Sequence, residues 1–483
     1  MQKILDISEK EILTGIAPSS QVQDKGLWSS ALGIDPVSAI LIGNDATGLL
    51  QPGTAPVDIG GSTVTDVPLA WDTDVSGTAT ENLYIWGDTG NLYKKTLSDD
   101  TTITLVDSNS LDAANGLFIF QHAAGNRYAY EFTTTVIGRF GLNTSDLGSY
   151  QTGLQNTKDH AVHRLFDRVY FCNGRYIGSA QDEGSTNDLI LNLEALDFES
   201  EYTSKTISDD GTYLVAGITT TITTDTLARG HSKVIFWDTN QDSWQREWMI
   251  PDAAIISIQR VGSAMMALTT RGLFAFTFNS PPQQVLPYLT TDYTPDYGFP
   301  TQFAADVVGE SILFGGDSSI TSFGKASPNV PNALTRPYAG FSGNVTMVAS
   351  SAKTSRVFVG TTNSKLYVVL PGSPPLLTGV SAKTIYIHLS RWWQIGKIVL
   401  EFDGQLASGD DVSVSVQGDD ATSETSWGSA TFAANGAIRS KEMYGSKEAL
   451  KLKLIINFNG GAVRIRNIQV WGDPIETPTH TRT

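Results

Sequence analysis

The densest group of residues able to do chemistry is KDHAVHRLFD (158–167), where His160 and His163 stand beside Asp159 and Asp167. A His-x-x-His pair near carboxylates is raw material for a metal site, yet structural zinc takes four protein ligands and catalytic zinc three. Six histidines serve the whole chain and only this stretch clusters two, so it reads as a polar surface turn and no metal is expected. Calcium is weighed at DSNSLD (107–112) and DGQLASGDD (403–411), which space hard oxygen donors in loops. Both lack the complete Asp-x-Asp-x-Asp-Gly pattern with a distal Glu, and Asp, Asn and Ser favour turns for backbone reasons. Four tryptophans complete the set. Trp392 and Trp393 lie in SRWWQIGK, Trp427 in the loop SETSWGS, and Trp28 in an N-terminal stretch rich in breakers. Exposed indoles can stack on sugar rings, whereas indoles in a core or between subunits anchor packing; all four are candidate interface or glycan contacts.

Enzyme motifs are tested next. A sialidase-like glycosidase needs a carboxylate pair, an Arg cluster and repeated Ser-x-Asp-x-Gly-x-x-Trp boxes. SDDGTY (208–213) approximates one box with the wrong spacing. Neither a Gly-x-Ser-x-Gly elbow nor a phosphate-cradling Gly-Lys-Ser/Thr loop is present. No catalytic residue and no cofactor is therefore assigned, and the protein is expected not to be an enzyme.

The 483 residues carry 33 Lys and Arg against 50 Asp and Glu, a formal charge of −17. Such a field repels phosphate, which argues against sequence-specific nucleic-acid binding. The single cysteine, Cys172 in RVYFCNGRY, rules out an intrachain disulfide framework, fits folding in a reducing cytoplasm, and reads as a small buried hydrophobe. MQKILDISEKEILTG has no apolar core before a small-residue cleavage site, and no stretch approaches the roughly 18 apolar residues of a membrane span. No membrane insertion is expected.

These side chains must be positioned by strands. Gly, Thr and Ser are abundant, and helical periodicity is almost absent. The one helical candidate, SKEMYGSKEALKLKL (440–454), is broken by Gly445 and alternates in its second half, so at most a short turn of helix opens it. One unit recurs instead: an apolar run, a polar turn and a second apolar run. It appears at 82–96, 116–132, 164–180, 211–239, 263–278, 310–324 and 355–369. The starts lie roughly 35 to 50 residues apart, the period of four-stranded propeller blades. A lone four-stranded sheet cannot bury both faces; blades packed around an axis can.

In the fourth unit, TISDDGTYLVAG and KVIFWDTNQDSW form a hairpin ending at Trp237-Asp238, which resembles the hairpins of WD40-like propellers. Gly230-His231 sits only six residues before Trp237, so the family's repeat is not reproduced, and Trp237 is expected between blades with Asp238 opening a turn. Before the units, residues 1–70 are broken at Asp35-Pro36, Gln51-Pro52-Gly53 and Ala55-Pro56 and read as an extended arm that closes the last blade or reaches a neighbouring subunit. After the linker PGSPPLLTG, the runs TIYIHLS, KIVLEF, DVSVSVQG, SATFAA, ALKLKLIINF and AVRIRNIQVWG alternate as the strands of a β-sandwich.

This layout, with GLLQPG in the leading segment and VRIRNIQVWG closing the sandwich, resembles structural proteins of tailed bacteriophages, nearest the tail-hub or nozzle proteins of short-tailed phages. The resemblance implies a ring of subunits, usually a hexamer, below the portal and adaptor, with the genome passing through its lumen. An acidic lumen would let DNA slide without sticking.

The expectation is thus an all-β protein: arm (1–70), β-propeller of about seven blades (71–372), C-terminal β-sandwich (376–475) and flexible tail (476–483). Its expected role is a non-enzymatic virion structural protein of the tail or head-to-tail interface, folded in the host cytoplasm. It would form a homo-oligomeric ring, contact other tail or connector proteins and pass the genome non-specifically. The alternative is a carbohydrate-binding propeller module reading a host receptor at the tail tip.

Overall fold

The structure, a computed structural model, describes all residues except 9–27, 31–49, 51, 75–80, 98–102, 109–114, 144–147, 156–158, 221–230, 241, 252, 288–301, 326–331, 352–355, 370–375, 385, 420–422, 432–437 and 476–483. Most of the loop DSNSLD, the linker's first residues and the C-terminal tail therefore lie outside the described residues, as does the Trp28 side chain.

Apolar runs separated by tight polar turns give antiparallel hairpins, because residues close in sequence pair first and the turn fixes their register. Seven four-stranded antiparallel sheets follow one another along the chain. The first is built from Pro68–Thr73, Asn82–Gly87, Asn91–Thr96 and Ile103–Ser108, in that order. Each of the seven hairpins of the sequence falls in a different sheet. The leading strands, Pro68–Thr73, Gly116–Gln121, Val162–Leu165, Thr203–Asp209, Ile255–Val261, Ala305–Val308 and Val345–Ser351, touch one another in turn, and the seventh touches the first. The fold is a seven-bladed β-propeller.

The core sits between blades. One cluster joins Tyr84, Trp86 and Leu92 of the first blade to Leu117, Ile119 and Ala129 of the second. Another joins Tyr170 and Cys172 of the third to Ile235 and Trp237 of the fourth. Trp237 is 3% exposed and meets Tyr170 edge-on at 5.8 Å, while Asp238 Oδ1 accepts the Asn240 amide in the following turn. Burying such side chains is worth about 1.5–3 kcal/mol each.

The last blade takes its fourth strand from ahead of the first. Val57–Asp58 pairs antiparallel with Lys365–Val369, Val57 opposite Val368 and Asp58 opposite Tyr367. Ile59 and Gly60 add amide bonds to the Leu366 carbonyl at 2.9 and 3.1 Å. Asp58 also holds Lys365 at 2.9 Å and accepts the amides of Gly60 and Gly61. Residues 57–70, read from the sequence as arm, thus belong partly to the propeller, whose first blade opens at Pro68 rather than 71.

The chain divides into two compact units, Val57–Ser318 with Phe341–Val368, and Met1–Pro56 with Ser319–Gly340 and Val369–Thr483. The second contains an eight-stranded sheet ordered Gln2–Ile7, Ile465–Pro474, Ile387–Phe402, Ser440–Gly460, Val380–Thr384, Trp28–Ser30, with Asp411–Gly418 and Thr425–Thr431 attached through Ser440–Gly460. That 21-residue strand changes partners along its length. Its first part pairs with Ile387–Phe402, and Leu452–Gly460 pairs with Asp411–Gly418. The turn of helix expected at 440 is absent: both halves are strand, and Gly445 is there because the Trp427 indole lies 2.7 Å from where its Cβ would be.

Two expectations follow. Asp58→Ala removes an ion pair and the oxygen that accepts two amides next to the closing strand, and should cost about 1–2 kcal/mol in urea unfolding at neutral pH. Burial opposes the Asp58 charge, but Lys365 and the amides of Gly60 and Gly61 hold its carboxyl below the ordinary value, so the gap between wild type and variant should narrow as acid protonates the group. Gly445→Ala should overpack Trp427 and cost about 1–3 kcal/mol, read as a lower thermal midpoint.

Candidate functional site

Extended strands turn alternate side chains to opposite sides, so the leading strand of each blade presents one set to its neighbours and to the propeller axis. Polar side chains bridge every blade junction there. Asp72 Oδ2 accepts the Ile119 amide at 2.7 Å, linking blades one and two. From blade three, Arg164 donates to Asp72 at 2.6 Å and to the Ile119 carbonyl. Ser204 Oγ donates to the Gly174 and Tyr176 carbonyls across the next junction, where His163 Nε2 also meets Asp209 Oδ2 at 2.7 Å. Thr206 Oγ1 accepts the Ile258 amide at 3.1 Å, and Gln259 Nε2 donates to the Ala305 carbonyl at 3.3 Å. Asp306 Oδ2 accepts the Ser350 amide at 2.6 Å, and Thr346 Oγ1 donates to the Pro68 carbonyl at 2.7 Å, closing the circle.

Within this ring lies a cavity of about 350 Å³. Its walls include Trp71, Asp72, His163, Arg164, Gln259 and Asp306, with Phe303 and the hydroxyls of Ser208 and Ser257. Most of the wall charge is paired: Arg164 by Asp72, His163 by Asp209, which Arg260 also approaches at 3.5 Å. Histidine contact first, then burial in opposition, sets the Asp209 carboxyl below its ordinary value. Asp306 differs. Among the described residues it accepts amides and its Ser350 neighbour and has no ion pair, and burial pushes its carboxyl up to about 6.

The residues singled out by sequence do not converge. His160 is fully buried, its Nδ1 2.8 Å from the Cys172 carbonyl and its Nε2 3.4 Å from the Thr134 carbonyl. The polar surface turn expected there is corrected: His160, ahead of the strand Val162–Leu165, is buried in the blade junction, and His163, within that strand, lines the axial cavity. Burial lowers the His160 pKa, favouring the neutral ring, and raises that of the buried Cys172 thiol. In the loop 403–411, Asp410 accepts the amides of Ala407 and Ala462 at 2.6 and 2.7 Å, a backbone role. In SDDGTY, Asp209 and Asp210 likewise accept the amides of Gly211, Thr212 and Tyr213.

The tryptophans lie in the other unit. Trp427 sits in the strand Thr425–Thr431 rather than a loop; it is 5% exposed and donates Nε1–H to the Met443 carbonyl at 3.1 Å. Trp393 is 6% exposed with the Arg391 guanidinium over its ring at 5.0 Å. Trp392 is half-buried in the same strand, and Trp28 begins the strand Trp28–Ser30, opposite Thr384. The axial residues Asp72, Arg164, Asp209 and Asp306 carry no local signal: Asp72 and Arg164 are 92 positions apart.

No family model matches the chain, and no curated protein matches it. Among solved structures it is similar to the Neurospora crassa Pan2 WD40 domain, at 8% identity and TM-score 0.45, covering 68% of this chain and 97% of that one. The Dos1 propeller shares 11% identity at TM-score 0.44, covering 69% and 96%. The computationally designed Ika8 protein shares 10% at 0.39, covering 63% and 96%. At these identities the likeness is one of fold alone.

The Asp306 carboxyl fixes a pH dependence. Because the folded state holds this proton more tightly than the unfolded chain, its contribution to stability is present at acid pH and falls as pH rises from the ordinary carboxylate range through about 6. Asp306→Asn should remove this decline, seen as a flatter pH profile of urea unfolding whatever the variant's absolute stability.

Proposed function

We propose that the protein is a non-enzymatic structural component of a virion, a homo-oligomeric ring subunit of a phage tail or head-to-tail connector, with hexamers favoured. In this reading the propeller is the rigid wall, and the N-terminal arm and C-terminal β-sandwich contact neighbouring subunits and other tail proteins.

The observation that supports it most is how the leading segment is used. Gln2–Ile7 pairs with Ile465–Pro474 and Trp28–Ser30 with Val380–Thr384 in the C-terminal sheet, Leu50 bridges Ile465, and only then does Val57–Asp58 complete the last blade. A leading segment that adds strands to one sheet and then the closing strand to a blade fits a component built to bear load. The axial groups fit the same role, since they tie blades to one another. A cavity of about 350 Å³ is far too small for duplex DNA, so a genome would pass through the lumen between subunits, where the acidic balance limits sticking.

Mass measurement of the purified protein, alone and with the products of adjacent genes, tests this: a closed ring or a stoichiometric complex is expected, and a strict monomer in both settings overturns it. For the carbohydrate alternative Trp392 is the indole to test, since Trp393 and Trp427 bury their rings. Under the structural reading, Trp392→Ala should leave glycan-array signals unchanged.

A further inference from the structure

Among the described residues, one carboxylate on the wall of the axial cavity lacks a cationic partner. Arg164 is matched by Asp72 at 2.6 Å and His163 by Asp209 at 2.7 Å. Asp306, on the same wall, accepts hydrogen bonds from the amides of Ser350 and Val307 and has no cationic partner among the described residues. Two aromatic rings, Trp71 and Phe303, line the same space, and Trp71 is only partly taken up by the neighbouring core.

We propose that this cavity binds a small organic cation, an amine or methylated ammonium, with Asp306 holding the charge and Trp71 and Phe303 receiving its alkyl surface. An aromatic face attracts a cation through its quadrupole, and more strongly once both are desolvated. A carboxylate supplies the counter-charge that paired wall groups do not. The volume, about 350 Å³, falls at the lower end of small-ligand sites, roughly 300–1,000 Å³. The Gln259 amide oxygen and the Ser208 and Ser257 hydroxyls give an N–H group further acceptors. A neutral polyol would use these same hydroxyls but would leave the Asp306 charge uncompensated, and an anion would face it directly. The net charge of −17 favours cations near the surface as well. This inference does not rest on the virion reading.

Isothermal titration calorimetry with tetramethylammonium and 1,4-diaminobutane tests it, with glucose as neutral control and sodium chloride matching ionic strength. Saturable one-to-one binding of at least one cation is expected, with none for glucose. Asp306→Asn should weaken it by at least about tenfold and Trp71→Leu by about threefold or more, with Trp71→Phe restoring most of that loss. The surface variant Glu442→Gln should leave it unchanged. Absence of saturable cation binding, equal affinity in Asp306→Asn, or preference for glucose would overturn the proposal. If Asp306→Asn does not fold, the Trp71 pair decides: equal affinity for Leu and Phe counts against the site.

Discussion

A ring of sheets is stable only if its last gap is closed. Each blade buries its faces against its two neighbours, so an open seventh blade would expose apolar surface on itself and on the first. Two residues meet this requirement: Val57 and Asp58 supply the missing edge strand, and the Asp58 carboxylate secures it by capping its own turn and holding Lys365. The cluster around Ile59, Leu83, Tyr93, Met347 and Phe358 then joins blades seven and one into one core. At the axis the circle is closed by the leading strands themselves, where Thr346 donates to the Pro68 carbonyl.

Around the axis the division of labour is clear. Apolar clusters between blades supply the bulk of the free energy, being roughly proportional to buried area and indifferent to direction. Directional bonds at the axis add little net stability each but set which atoms face which. The pairings Asp72–Arg164 and His163–Asp209 avoid the cost of burying lone charges. Asp306 is the exception, and burial is the cause of its raised carboxyl pKa.

What could be read from the sequence was what is local. Seven hairpins were legible because turn and strands lie within a few residues of one another, and Trp237 was legible because an aromatic ending an apolar run has few places to go. The division of the leading segment was not. Gln2 pairs with Gly472 and Val57 with Val368, and no short-range pattern records partners so distant. The strand at 440–460 was ambiguous because SKEMYGSKEAL has good helix formers; pairing along Ile387–Phe402 overrode that propensity. His160 and His163 looked like one group because spacing alone does not say that a strand begins between them. The axial residues were invisible for a similar reason: a lone Asp in a strand looks the same whether it caps a neighbouring blade or faces water.

The bridges at the blade junctions differ in kind: a carboxylate at one, a guanidinium at the next, then hydroxyls, an amide, another carboxylate and a threonine. Geometry here is held by a different polar group at each seam rather than by a repeated motif. Such a ring is free to drift in sequence blade by blade, provided each seam keeps some polar atom of the right reach. The faint repeat of the seven hairpins is then the ordinary state of this architecture under mutation and need not be a relic of a sharper one.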